Sequence, residues 1–197
     1  MKAFWWLAIA ALAVGAWYFW LGGAAQLEKY TAESAETKQS AFVTSFEEES
    51  AGRFVSFTDP YYGFEMKYPI GYQADFGDIA GPRLSARAEM AENLFEVIQA
   101  NAIDEQFASA MATMPNEIGG NKLANRRNAT IAGKDAVLFD STGTVPLAET
   151  ATYGRWAVMD CAMANGTRYT LVVTGIVSAP LASDLGMIDY VIYSVRC

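Results

Sequence analysis

Between Phe4 and Gly22 this chain carries no charged side chain, and no other stretch constrains its organisation so tightly. As an α-helix rising ~1.5 Å per residue, the segment reaches ~28 Å, close to the ~30 Å hydrocarbon core of a bilayer. Trp5 and Trp6 stand at one end and Trp17 and Trp20 at the other, as the two interfacial aromatic belts of a span would. Residues 1–25 therefore read as a transmembrane signal-anchor helix. A cleaved signal peptide is the alternative, since Gly22-Gly23-Ala24-Ala25 offers small residues to a peptidase, but the apolar run exceeds the ~7–15 residues usual for one. Lys2 is the only charged side chain before the span, which places the N-terminus in the cytoplasm and the rest of the chain outside. Ala8, Ala11 and Gly15 lie on one helical stripe, and such small residues let a partner helix approach closely.

The residues after the span suit one domain of ordinary size. All 22 acidic residues fall there, and the whole chain carries a net charge of −8. With no Lys/Arg run, a nucleic-acid groove and adhesion to anionic lipid are both excluded. Histidine is absent altogether, which removes Ser-His-Asp and Cys-His nucleophile systems, histidine general bases and most catalytic zinc sites. No CxxC, GxGxxG or P-loop occurs, so neither a catalytic apparatus nor a cofactor is expected. Cys161 and Cys197 are candidates for one disulfide if the domain lies in an oxidising compartment, and two free thiols are the alternative. Such a bond would pin the C-terminal segment to the strand that carries Cys161.

Residues 26–52, rich in Ala, Glu, Lys and Gln, read as a helical stalk or linker. Glu47-Glu48-Glu49 within it points to different helix faces and reads as a solvated run rather than a cation site. From Phe54 the texture changes. Phe54–Pro69 predicts two strands about an Asp-Pro-Tyr-Tyr-Gly turn, and residues 70–83 a loop. A strand is predicted around Leu94–Ala102, then a helix from Asp104 to Met114 stopped by Pro115. Lys122–Ala132 and Lys134–Ser141 predict a hairpin turning at Gly133. Asn165-Gly166 predicts a second hairpin between Trp156–Met163 and Thr167–Gly175. After Pro180, apolar Leu181, Leu185, Ile188, Ile192 and Val195 recur at helical spacing. The expected fold class is α+β, an antiparallel sheet of five to seven strands flanked by helices over residues 53–197.

Phe57-Thr-Asp59-Pro-Tyr-Tyr62-Gly63-Phe64-Glu-Met-Lys-Tyr68-Pro69 resembles the opening of PsbP-like domains. That superfamily includes the photosystem II extrinsic subunit PsbP and bacterial DcrB-type proteins. Gly133, the return strand Gly166-Thr-Arg-Tyr169-Thr-Leu, and Ile192-Tyr193-Ser194 near the end extend the resemblance over about residues 54–196. It departs in two ways: the Trp common after Tyr-Pro is missing, and the metal-binding histidines of some photosystem relatives have no counterpart. The resemblance implies a fold and carries over no functional residue.

Asp59, Asp75 and Asp78 sit near turns and would be the calcium ligands if there were any, but no EF-hand spacing joins them. An Asp at a turn more commonly accepts hydrogen bonds from its own backbone. Asn128-Ala-Thr130 and Asn165-Gly-Thr167 are formal glycosylation sequons, the second sitting in a predicted turn. Tyr153, Trp156 and Tyr169 are read as core or cross-strand aromatics before they are read as a binding surface. The function expected is a non-enzymatic accessory subunit. It would be held in the lipid bilayer by its helix and docked on an integral membrane complex outside the cytoplasm. A tethered ligand- or ion-binding sensor is the alternative.

Overall fold

The computed structural model describes residues 52–77, 82–91, 94–145, 150–179 and 184–197. The segment predicted to be an anchor, with Trp5, Trp6, Ala8, Ala11, Gly15, Trp17 and Trp20, and the predicted stalk up to residue 51 lie outside the described residues, as does Asp78. Among the described residues no helix is long and apolar enough to cross a membrane.

Among the described residues, ten strands and two short helices follow one another: β1 (Phe54–Thr58), β2 (Glu65–Pro69), β3 (Gln73–Asp75), β4 (Leu84–Ala91), β5 (Leu94–Ile103), α1 (Phe107–Thr113), β6 (Glu117–Ile118), β7 (Asn121–Ile131), β8 (Lys134–Val145), β9 (Thr150–Ala162), β10 (Arg168–Ser178) and α2 (Leu185–Tyr193). β1 and β2 pair with each other. The other eight form one antiparallel, curled sheet in the order β3-β4-β5-β10-β9-β8-β7-β6. This overturns the α+β expectation: 60% of the described residues are strand and 14% helix, so the domain is mostly β. The difference has two sources. Residues 70–91 supply β3, only three residues long, and β4, whose Leu84, Ala86, Ala88 and Met90 alternate with Ser85, Arg87 and Glu89, and the predicted helices shrink.

The first helix is shorter than predicted. β5 runs to Ile103, directly before Asp104, and the Tyr62 hydroxyl donates to Asp104 Oδ1 at 2.9 Å. The helix starts only at Phe107, behind Gln106, which makes no side-chain capping bond. Met114 is extended ahead of Pro115, as sterics before a proline require.

Both predicted hairpins form. Ala132 and Gly133 have φ of +50° and +77°, the pair of left-handed residues that matches a two-residue turn to strand twist. At the other, Asn165 Oδ1 accepts from Thr167 N at 3.0 Å within a longer loop closed by Met163 N to Thr167 O. The second sequon is thus part of a turn. Asn128 lies exposed on β7.

Side chains alternate across the strands and build two cores. The larger one stacks Phe64 just before β2 and Met66 within it, Leu84, Ile98, Leu171, Val173 and Met159 of the sheet, and Ile188, Val191 and Ile192 of α2. α2 approaches so closely that a Cβ at Gly175 would collide with the Ile188 side chain. The chain end returns to β2, where Arg196 and Glu65 exchange backbone hydrogen bonds of 2.8 Å. Cys197 is bonded to Cys161 on β9, with Cα atoms 5.5 Å apart. The disulfide therefore ties the tail and its β2 partner to the main sheet.

Candidate functional site

The second face of the sheet carries a smaller core of Val137, Phe139, Trp156 and Val158, against which Phe107, Met111, Ile118 and Val172 are partly buried. Among the described residues α1 is its only helical cover, and none of the helix's seven residues is buried. Between α1 and the strands lies a half-open cleft of about 600 Å³, within the range of small-molecule sites.

Strand register lays out its floor in rows. Gln99, Thr174 and Trp156 are direct cross-strand neighbours, and so are Asn101, Val172 and Val158. Ala110, Thr113, Met114 and Pro115 form the roof, Ile118 one wall, and Ile103 and Glu105 the rim. Trp156 is fixed in place, because its Nε1 donates to Ser141 Oγ at 3.0 Å. Thr170 Oγ1 donates to the Glu105 carbonyl at 2.7 Å and holds the entry of α1 to β10. Gln99 reaches Ser85 Oγ at 3.4 Å. The Asn101 amide makes no hydrogen bond to another described residue. Two convergent amides over an apolar floor can bind a ligand and orient it, but they supply neither a nucleophile nor a general base.

Three buried polar groups lie on the opposite face. Asp59 closes the β1–β2 turn by accepting Tyr61 N and Tyr62 N on Oδ1 at 2.9 and 2.6 Å. Its Oδ2 takes Arg83 Nε at 2.7 Å, with both side chains buried. Asp59 is thus committed to a guanidinium and a turn, not offered to a cation. Asp75 stands apart, exposed on β3. Among the described residues the Tyr169 hydroxyl has no hydrogen-bond partner, and burial, then the Asp59 charge, raise its pKa. Glu96 is 2% exposed with Oε1 unpartnered. Burial first, then a hydrogen bond and charge from Asp184, push its pKa up to about 8, so at neutral pH it holds a proton.

The aromatic trio is dispersed: Trp156 forms cleft floor, Tyr169 lies in the larger core and Tyr153 is 40% exposed. The cleft itself was not legible. Its signal is the alternation Val97, Gln99, Asn101, Ile103, which reads as an ordinary outward strand face until α1 is folded over it.

No protein-family model and no curated protein matches the chain. Solved structures do. LpqN of Mycobacterium tuberculosis, involved in cell envelope biogenesis, superposes with a TM-score of 0.54 at 12% identity, over 74% of this chain and 93% of LpqN. Cyanobacterial PsbP (CyanoP) from Synechocystis gives 0.47 at 13% identity, over 73% of this chain and 92% of that one. LpqN has a PsbP/DcrB-like fold, and the described domain shares it: the domain is PsbP-like in fold.

Proposed function

We propose that this chain is a non-enzymatic ligand-binding domain. It stands outside the cytoplasm on a membrane tether formed by residues 1–25, with its N-terminus in the cytoplasm. The observation that carries the reading is the cleft under α1: ligand-sized, apolar on its floor, and furnished with two amides, with Glu105 at its rim as the one ionisable group among the described lining residues. The Cys161–Cys197 disulfide supports an oxidising compartment. LpqN's involvement in cell envelope biogenesis is consistent with a role at an envelope, by fold analogy alone.

Purification of the full chain from membranes in mild detergent, followed by solvent extraction and mass spectrometry, tests it. One small molecule recovered per chain is the expected result. Recovery of the chain in a large stoichiometric membrane assembly with an empty cleft would instead favour the accessory-subunit role, in which the Ala8, Ala11, Gly15 stripe meets a partner helix.

A further inference from the structure

The charge of the cleft lining differs from that of the chain around it. The chain carries 14 basic and 22 acidic residues, yet Glu105 is the one ionisable side chain among the residues that line the cleft. Its carboxylate already accepts the Ser109 hydroxyl. No Lys or Arg is among the described lining residues, so an anionic head group would lose its water and gain no counter-charge there. An ammonium group would find a single, partly exposed carboxylate that another residue uses.

The polar groups that do face the cleft are neutral and paired in register. Gln99 and Asn101 project from the same side of β5, about 7 Å apart. Each amide offers a donor and an acceptor, and Thr174 adds a hydroxyl directly beside Gln99. Such a set suits a group that both donates and accepts, a hydroxyl or an amide. The remaining floor and roof, with Met114, Ile118, Trp156 and Val172, are apolar.

Resting on the ligand-binding reading above, we propose that the cleft selects an uncharged amphiphile. Its apolar body lies between α1 and Val158–Val172, and its hydroxyl- or amide-bearing end lies on Gln99 and Asn101. Asn101 is the specificity-determining residue, because its amide is the one in the cleft left without a protein partner among the described residues.

Photolabelling of the full chain in detergent tests this, because the labelled peptide is read directly and probe dissolved in micelles does not contribute. The probes are a diazirine-bearing dodecanol and the same chain ending in a sulfonate, which stays ionised in any surroundings. The alcohol is expected to label the peptides that carry Met114 and Trp156 at least tenfold more than the sulfonate does. Val172→Phe, which fills the floor, should abolish that labelling. Asn101→Lys, shown folded by an unchanged thermal midpoint, should bring sulfonate labelling to within about threefold of the alcohol.

If the sulfonate labels the wild-type cleft as well as the alcohol and Val172→Phe blocks both, the neutral selectivity is wrong and the ligand-binding reading survives. Stronger labelling by an alkylammonium probe than by the alcohol would overturn the selectivity too. Alcohol labelling that Val172→Phe leaves unchanged would overturn the ligand-binding reading itself.

Discussion

On one face of the sheet Ile188 of α2 rests on the bare backbone of Gly175; on the other, α1 stands back from Val172 and leaves about 600 Å³ open. The two positions are three residues apart on the same strand. α2 contributes four buried residues, and its C-terminal side is fastened to β2 by the 2.9 Å bond from Lys67 N to Ser194 Oγ and to β9 by the disulfide. α1 contributes no buried residue, lacks a side-chain cap and ends at a proline two residues on. The first face has the contacts that make a fold cooperative, while the second keeps a less protected element over a cavity. A division of labour follows, in which one face holds the fold and the other can take a ligand.

Substitutions on the two faces should separate these roles, and the largest loss belongs to the packed side. Arg83→Met leaves the Asp59 carboxylate buried without its cation. It should cost about 3–5 kcal/mol, read as a lower denaturant midpoint. Cys161→Ser combined with Cys197→Ser frees the tail from β9 and should cost about 3–4 kcal/mol. The test is to compare oxidised wild type with the double variant in urea; equal midpoints would mean that the tail is held by its β2 pairing alone.

Glu96→Gln should instead stabilise. The folded state holds the Glu96 proton up to about pH 8, against an ordinary value of 4.5. Unfolding therefore releases a proton between those limits, so stability is fully present below pH 4.5 and is lost as pH rises through 8. The Gln variant should escape that loss, gaining at most about 5 kcal/mol at pH 8.5 and nothing at pH 4.5. Parallel pH profiles for the two proteins would show that Glu96 ionises as freely folded as unfolded.

Gly175→Ala pushes a methyl group against Ile188 and should cost about 1–3 kcal/mol. Met111→Ala, on the half-exposed α1, should cost about 1 kcal/mol or less and leave the urea midpoint nearly unchanged. If it cost as much as Gly175→Ala, the contrast between the faces would disappear.

Local chemistry was legible wherever a few adjacent residues settle the backbone. The Asp59–Gly63 turn follows from an Asp that can bond its own backbone and a Gly at φ +76°. The Ala132-Gly133 reversal follows from a left-handed pair, and the strand Leu94–Ile103 from its apolar alternation. The Cys161–Cys197 pair was nameable because the chain has only two cysteines. The PsbP-like fold was legible as a family resemblance anchored at the same turn.

The tertiary structure alone decided the rest. Asp104, a good helix cap by local rule, is drawn to the hydroxyl of Tyr62, 42 residues away in sequence, and the helix that should have begun there starts later. β4 joins its sequence neighbours β3 and β5 in the sheet, and β3 is three residues long, too short to show a period of its own. The cleft exists because Gln99, Thr174 and Trp156, spread over 75 residues, are aligned by register across β5, β10 and β9. Sequence periodicity reports which side of a strand a residue faces, but not what folds over that side. Here one side received a fitted helix and the other a short, unburied one, and that difference in packing places the candidate site.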